Sequence, residues 1–160
     1  MLKLRDARPE DAELLLAYIR ELAEFERLTH ECVADAALLR RSLFDEKKAH
    51  AIMAEWDGKP AGFALYFYNF STFLGRPGLY LEDLFVRPAF RRRGIAKSLF
   101  QALARKAVAE ECGRFEWSVL DWNVNAIAFY RELGAVALKE WTAQRLSGDA
   151  LRRLADEIQP

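Results

Sequence analysis

The sequence predicts a mixed α/β fold in which a central β-sheet carries helices on both faces. Short segments with alternating or continuous apolar residues, separated by Gly, Pro and Asp, indicate strands. Longer segments with apolar residues at helical spacing indicate amphipathic helices. The two kinds of segment follow one another in the order β-α-α-β-β-β-α-β-α-β, and this mixture is typical of a sheet covered by helices. With 160 residues, the chain is long enough for one sizeable core.

The first half of the chain begins with an alternating strand over Leu2–Asp6. A helix starts at Pro9, with acidic residues in its first turn, and its predicted buried stripe comprises Ala12, Leu15, Leu16, Ile19, Leu22 and Ala23. Residues 34–44 predict a second, shorter helix. An Asp-Gly pair at 57–58 is the strongest hairpin signal, and it lies between predicted strands over Ala49–Trp56 and Ala61–Asn69.

The second half begins with a loop over Phe70–Gly78, an apolar strand over Leu79–Val86, and an amphipathic helix that starts near Gly94. The predicted segments that follow are a strand over Phe115–Asp121, a helix over Asn125–Leu133 ended by Gly134, a final strand over Ala137–Leu146, and a helix over Gly148–Ile158 capped by Ser147. No repeat, low-complexity segment or linker interrupts this order. We therefore expect one domain over residues 1–160.

Composition excludes several classes of protein. The 24 basic and 24 acidic residues give zero formal net charge, which argues against a general nucleic-acid binder despite the basic cluster Arg91–Arg93. Two cysteines form no disulfide framework, and two histidines give no metal-site spacing, so no metal is expected. No apolar run reaches the roughly 18 residues of a membrane helix, and no signal-peptide pattern is present. These observations predict a cytoplasmic protein without membrane contact.

The turn between the apolar strand and the next helix has the composition of a phosphate site. It runs from Val86 to Gly94 and contains three consecutive arginines. Backbone N–H groups at a helix N-terminus lack helical partners, and the helix dipole adds positive potential there. Neither the dinucleotide fingerprint nor the P-loop motif is present. The alternative interpretation is an ordinary strand-to-helix turn with solvated arginines.

The pattern Arg91-x-x-Gly94-x-Ala96 resembles the acetyl-coenzyme A pyrophosphate loop of the GNAT superfamily of N-acetyltransferases. Three further stretches, Tyr80–Val86, Leu120–Asn123 and Ala128–Ala135, resemble the spermidine/spermine N-acetyltransferase branch, and its thialysine type is the closer likeness. The resemblance covers nearly the whole chain in order. It implies a mixed, mainly antiparallel sheet, acetyl-coenzyme A as cofactor, a small primary amine as substrate, and a homodimer.

The reaction that this resemblance implies needs a neutral amine. A primary amine with a pKa of roughly 10.4 is protonated at pH 7, and deprotonating it costs about 4.6 kcal/mol. The family places an acid at Glu82, which we predict to be the base, acting directly or through a water. Alternation along a strand should send Glu82 and Asp83 to opposite faces, so at most one of them enters a given pocket. We favour Glu82 over Asp83 as the base, with Asp83 as a helper in amine binding. The alternative for Glu82 is a carboxylate that only faces water.

The resemblance also assigns an acid and the cofactor contacts. A phenol, with a reference pKa of about 10, is a donor at neutral pH, and Tyr130 is expected to protonate the departing thiolate while touching the cofactor. Its alternative role is aromatic packing. Asn123 should anchor the pantetheine end, or cap a helix. The remaining contacts are backbone groups of Leu84, Phe85 and Val86 for the pantetheine amides, and Arg91, Arg92, Arg93, Gly94, Ile95, Ala96 and Lys97 for the pyrophosphate.

The acceptor site implied by the resemblance comprises Phe25, Glu26, Glu82, Asp83, Glu116, Trp117, Ser118 and Trp141. Acids and aromatic faces suit an amine cation. Polyamine-acetylating relatives carry an extra acid where this chain reads Phe70-Ser71-Thr72-Phe73, and another where it has Lys139. Fewer carboxylates favour a lysine-like amine such as thialysine, whose sulfur lowers the amine pKa. The alternatives are a polyamine or protein-lysine acetyltransferase, and a non-catalytic coenzyme A-binding module.

Overall fold

A computed structural model describes residues 1–157. These residues fall into two compact units, one over Met1–Ser118 and one that begins at Val119. The first unit contains a five-stranded sheet in the order β1-β2-β3-β4-β5. Its strands are β1 (Leu2–Asp6), β2 (His50–Trp56), β3 (Lys59–Ser71), β4 (Arg76–Val86) and β5 (Arg114–Trp117). β1 to β4 pair antiparallel and β5 pairs parallel with β4, which confirms the predicted mixed sheet.

Three helices accompany the sheet in the first unit. They are α1 (Ala12–Phe25), preceded by a 3₁₀ turn over Pro9–Asp11, the short α2 (Ala36–Arg40), and α3 (Ile95–Ala109). Asp35 caps α2 by accepting a 2.8 Å hydrogen bond from the Leu38 amide, and a wider π-helical turn over Arg41–Asp45 prolongs the helix. The second unit contains α4 (Val124–Glu132) and α5 (Gly148–Asp156).

The core lies between α1 and the sheet. Leu15 and Tyr18 of α1 are fully buried, and the Tyr18 ring stacks on Phe63 of β3 at a centroid distance of 5.4 Å. Leu65 of β3 belongs to the same cluster, whereas the next residue, Tyr66, lines a cavity together with Lys106 of α3. Because successive side chains of a strand point to opposite faces, α1 and α3 cover opposite faces of the sheet, as predicted.

The hairpin predicted at the Asp-Gly pair is confirmed. Asp57 and Gly58 both have positive φ values, 49° and 74°, as a type I′ turn requires. The next hairpin differs from the prediction, because the loop expected over Phe70–Gly78 is mostly strand. β3 continues to Ser71 and β4 starts at Arg76, with Phe70 paired to Pro77. Gly75 at φ 63° allows the turn to be this short.

The prediction for the C-terminal strands is wrong in two places. β5 ends at Trp117 rather than at Asp121, because its pairing with β4 stops at Leu81. The strand predicted over Ala137–Leu146 is not formed, and Trp141 within it is 80% exposed. A strand needs a partner edge, and apolar alternation alone does not supply one. The predicted helix end at Ile158 lies outside the described residues.

No helix within residues 1–157 is both long and apolar enough to cross a membrane.

Candidate active site

A β-bulge interrupts β4 at Glu82. Asp83 is paired with Leu65 and Leu81 with Tyr66, so Glu82 is an extra residue without a partner on β3. Asp83 therefore lies on the same face as Leu65, the face that α1 covers. Strict alternation ends at a bulge, so alternation does not decide which face Glu82 takes relative to Asp83. Glu82 itself is exposed and accessible to a ligand.

The carboxyl group of Asp83 lies near two other carboxyl groups, those of Glu82 and Glu26. Burial, together with the negative charges of Glu82 and Glu26, raises the pKa of Asp83 to about 6. Burial also raises the pKa of Glu26, which directly follows α1. The structure thus brings together three of the predicted acceptor residues, two on β4 and one at the end of α1. Such a group attracts an amine cation.

The C-terminal half of β4 has an open edge. Pairing with β5 ends at Leu81 and Trp117, so in the described part of the chain only β3 pairs with β4 beyond this point. The Arg87 amide donates to the Ala61 carbonyl at 2.9 Å, which fixes the alternation of hydrogen bonds along β4. By that alternation, Phe85 bonds β3, whereas the backbone groups of Leu84 and Val86 point to the open edge. An extended amide chain can pair there as an added strand.

Gly62 on β3 allows the two strands to approach closely behind this edge. A Cβ atom at Gly62 would lie 2.3 Å from the Phe85 carbonyl oxygen and 3.1 Å from the Val86 Cα. Glycine is therefore required by contact rather than by a special φ value.

The turn after β4 has the geometry of an anion site. Arg92 and Gly94 both adopt left-handed backbone conformations, with φ values of 61° and 75°. Ser98 is the first residue of α3 whose amide finds an acceptor of the helical type, the Gly94 carbonyl at 2.9 Å. The amides of residues 95–97 therefore have no acceptor within the helix. Turns of this kind gather N–H groups into a concavity that suits phosphate oxygens, so the residues present fit the pyrophosphate of coenzyme A.

The arginine side chains around this turn mostly contact protein groups. The Arg91 Nε donates to the Val86 carbonyl oxygen at 3.1 Å, and its guanidinium lies 5.1 Å from the centroid of the Phe25 ring. The Arg93 guanidinium lies 5.1 Å from the Trp56 ring. These contacts place both side chains against aromatic faces.

Arg87 was missed by the sequence analysis. It forms a forked ion pair with Glu21 of α1, with a shortest distance of 2.7 Å, and its guanidinium covers the Tyr18 ring at 4.7 Å. This pair ties the start of the phosphate turn to α1. Its partners are 66 positions apart in sequence, and no local pattern indicates it.

The predicted acceptor residues on and after β5 have protein partners. Glu116 forms a 2.7 Å ion pair with Arg114, and the Ser118 hydroxyl hydrogen-bonds the Tyr80 hydroxyl at 2.7 Å. The Trp117 ring packs edge-on against Phe100 of α3 at 4.9 Å. Trp117 therefore has the contacts of a packing residue.

The remaining predicted residues lie in the second unit. Asn123 caps α4, its Oδ1 accepting a 3.3 Å hydrogen bond from the Ala126 amide, so the alternative role as a cap is confirmed. The cap leaves the two N–H donors of this side chain for other partners. Tyr130 lies on α4, with its ring 5.8 Å from that of Phe129. Trp141 is exposed in an irregular segment.

A cavity of about 590 Å³ lies elsewhere, near the C-terminal end of α3, and no predicted site residue lines it. Three of its polar groups are paired with one another: Lys106 and Glu110 form a 3.0 Å ion pair, and the Tyr68 hydroxyl donates to Glu110. This network fastens α3 to β3. No group of His, Cys, Asp and Glu within residues 1–157 has an arrangement that could hold a metal ion.

Comparisons with known proteins agree with this geometry. A sequence model of the acetyltransferase (GNAT) family matches residues 15–135. A thialysine N-epsilon-acetyltransferase of Caenorhabditis elegans is 41% identical over 152 residues, which cover 93% of this chain and 94% of that protein. An L-ornithine N5-acetyltransferase of Arabidopsis thaliana is 34% identical, with 95% of this chain and 87% of that protein covered. The solved structure of an integron cassette protein of V. cholerae has a TM-score of 0.81 and 25% identity, covering 98% of both chains.

The family match covers most of the chain, and it includes the bulge of β4, the open strand edge and the phosphate turn. Relatives that align along nearly the whole length are amine N-acetyltransferases by name. The chain therefore belongs to the acetyltransferase (GNAT) family and is an enzyme that transfers the acetyl group of acetyl-coenzyme A to amines.

Proposed function

We propose that this enzyme acetylates the terminal primary amine of a small, lysine-like amino acid such as thialysine, with Glu82 as the base and Tyr130 as the acid. The observation that carries the proposal is the group of three carboxyls at the bulge of β4, beside the open edge of that strand. The names of the thialysine and ornithine acetyltransferases among its relatives support an amino acid as acceptor.

The chain's own groups supply binding and proton transfer. When bound, acetyl-coenzyme A supplies a thioester carbonyl that a neutral amine can attack. Glu82 is exposed at the bulge, and we assign it the removal of the ammonium proton, directly or through a water. Asp83 and Glu26 hold the cation nearby by charge. The hydroxyl of Tyr130 then gives its proton to the departing sulfur.

Cofactor binding is assigned to backbone groups more than to side chains. Leu84 and Val86 offer N–H and C=O groups at the open edge for the pantetheine amides. The amides of Ile95, Ala96 and Lys97, which have no acceptor within the helix, would hold the pyrophosphate, with Arg92, Arg93 and Gly94 completing the turn. The side-chain N–H groups of Asn123 anchor the pantetheine end.

The choice of a small acceptor rests on where carboxylates are absent. At the turn between β3 and β4, where polyamine-acetylating relatives carry an acid, this chain has Phe73, whose side chain is fully exposed. A long polycation would find little charge there, whereas one ammonium group needs only the carboxyls at the bulge. Phe25 adds an aromatic face, and Glu116, Trp117, Ser118 and Trp141 remain assigned to the acceptor side.

A homodimer is part of this proposal. Large apolar side chains are exposed in the unit that begins at Val119, among them Val124, Val136, Leu138, Trp141, Leu151 and Leu154. Exposed apolar surface of this kind marks an interaction site, and a second copy of the chain is the partner that the family resemblance favours. Location in the cytoplasm stays a prediction from the sequence.

The test is release of free thiol from acetyl-coenzyme A in the presence of thialysine, lysine, ornithine, spermidine, spermine or putrescine. Turnover confined to the three amino acids supports the proposal, and a reaction without amine gives the background. Preference for spermidine or spermine would contradict it and favour the polyamine alternative. Tight binding of coenzyme A without turnover of any amine points first to a protein lysine, then to the non-catalytic binding module.

A further inference from the structure

Arg91 contacts both the cofactor strand and the end of α1. Its Nε donates to the Val86 carbonyl oxygen at 3.1 Å, and its guanidinium lies 5.1 Å from the Phe25 ring and 5.9 Å from the Phe85 ring. Its backbone amide is also used, donating to the Pro88 carbonyl at 3.2 Å. The Arg91 Nε and backbone amide thus both have protein acceptors, while the residue as a whole is exposed.

We infer that Arg91 is a positioning residue for the acceptor: it holds the C-terminal end of α1 against β4, and it is not a phosphate ligand. This inference rests on the proposed function, because it concerns the residues that we assign to the amine. Phe25 is the last residue of α1, and Glu26 follows it directly. The negative charge of Glu26 contributes to the raised pKa of Asp83. Moving the Phe25 ring therefore moves one of the three carboxyls.

The position of α1 matters here because the chain turns sharply after it. Arg27 has a φ of 60°, a left-handed conformation that ends the helical path one residue after Glu26. The Arg87–Glu21 pair holds α1 about one turn before its C-terminal end. The last turn of α1 is therefore held by the contact with Arg91. A cation near a helix C-terminus is also favoured by the helix dipole.

Arginine suits this position better than other polar residues. Its planar guanidinium can lie on a ring face while Nε donates a hydrogen bond in its own plane. Glutamine can replace the hydrogen bond to Val86 but carries no charge for the Phe25 ring. Lysine keeps the charge but lacks the planar fork. The two substitutions therefore separate the hydrogen bond from the stacking.

The experiment compares Arg91→Gln and Arg91→Lys with Arg105→Gln, which removes an exposed arginine on the far part of α3. The amine that the wild-type enzyme turns over fastest is the acceptor. We expect Arg91→Gln to raise the KM for the amine by about tenfold, the size of one lost cation–π contact with its hydrogen bond. Arg91→Lys should give a smaller rise, and the Kd for coenzyme A from calorimetry should stay within about twofold.

A phosphate ligand would behave in the opposite way. Loss of coenzyme A affinity by about tenfold or more in Arg91→Gln, with an unchanged KM for the amine, would overturn the inference. Phe25→Leu and the double variant Arg91→Gln/Phe25→Leu distinguish the loss of this one contact from a general loss of folding. Since Arg91 acts on the acceptor through the Phe25 ring, the double variant should be no worse than Phe25→Leu alone, whereas additive effects on KM would refute the link.

The same set of variants distinguishes this inference from the proposed function. A wild-type protein that binds coenzyme A but acetylates none of the amines refutes the proposed function only. The coenzyme A affinity and the melting temperatures of the four proteins in the Arg91–Phe25 cycle then decide the role of Arg91. Non-additive losses of melting temperature with retained affinity support it, and additive losses refute it.

Discussion

Asp83 lies directly opposite Leu65, so a titratable carboxyl occupies the face of the sheet that α1 covers with apolar side chains. This placement follows from the bulge at Glu82, because without the extra residue Asp83 would lie on the face covered by α3. Burial and two nearby negative charges then raise its pKa to about 6. The bulge thus creates both the exposed carboxylate and the half-buried one.

Replacing Asp83 should stabilise the protein in a pH-dependent way. A carboxyl whose pKa is about 6 in the folded protein and 3.8 in the unfolded chain binds its proton more tightly when folded. Stability is therefore lost as the pH rises from about 4 to about 6, by up to about 3 kcal/mol. Asp83→Asn lacks this loss. The difference in urea midpoint between Asp83→Asn and the wild type should therefore be larger at pH 8 than at pH 4, in favour of the variant.

The control for Asp83 is Asp45→Asn, since Asp45 is exposed and is outside the site. This variant should follow the wild-type pH profile. Equal pH profiles of stability for Asp83→Asn and the wild type would show that folding does not raise the pKa of Asp83.

Replacing Glu82 should remove the base without removing the fold. Glu82→Gln keeps the size of an exposed side chain, so the unfolding midpoint should change little. Turnover should fall by about a hundredfold or more at pH 7, the usual contribution of a positioned base. The remaining rate should rise steeply toward alkaline pH, because only the small neutral fraction of the amine then reacts.

Glu13→Gln is the matched control, because Glu13 is an exposed acid in the first turn of α1, away from its C-terminal end. It should keep the wild-type rate. Full activity of Glu82→Gln across pH 6–9 would rule out the assignment of the base.

The hydroxyl of Tyr130 should matter for turnover and not for cofactor affinity. Tyr130→Phe keeps the ring that packs beside Phe129. We expect kcat to fall by about ten- to a hundredfold, with the Kd for coenzyme A nearly unchanged, because only the proton donor is lost. Tyr68→Phe, in the network with Lys106 and Glu110, controls for the loss of a phenol hydroxyl. An unchanged kcat would disprove the role of Tyr130 as acid.

Local signals in the sequence predicted much of this fold. The Asp57-Gly58 turn has the positive φ values that its residues favour, and α3 begins directly after Gly94, as the glycine and the apolar stripe indicated. These features depend on residues that are neighbours in the chain. The pairs that tie the site together depend on the folded sheet instead, such as Arg87 with Glu21 and Arg91 with Phe25.

Register was the main information that the sequence lacked. The predicted opposition of Glu82 and Asp83 assumed an unbroken strand, and only the pairing of β3 with β4 reveals the extra residue. The strand predicted over Ala137–Leu146 had a suitable alternation, but pairing decides whether such a segment becomes a strand. A one-residue change of register reverses every side chain of a strand, so predictions of site geometry fail first at bulges.

Gly62 provides a test of the cofactor strand that does not alter any group assigned to chemistry. A methyl group at this position would lie 2.3 Å from the Phe85 carbonyl oxygen, so Gly62→Ala must push β4 away from β3. We expect a loss of about 1–3 kcal/mol in the free energy of unfolding, the usual cost of overpacking. The displaced segment carries Leu84 and Val86, so the affinity for coenzyme A should fall as well. This affinity is measured at a temperature where the variant is fully folded, so that unfolding does not contribute to the loss. Wild-type affinity in a destabilised variant would mean that the open edge of β4 does not bind the pantetheine chain.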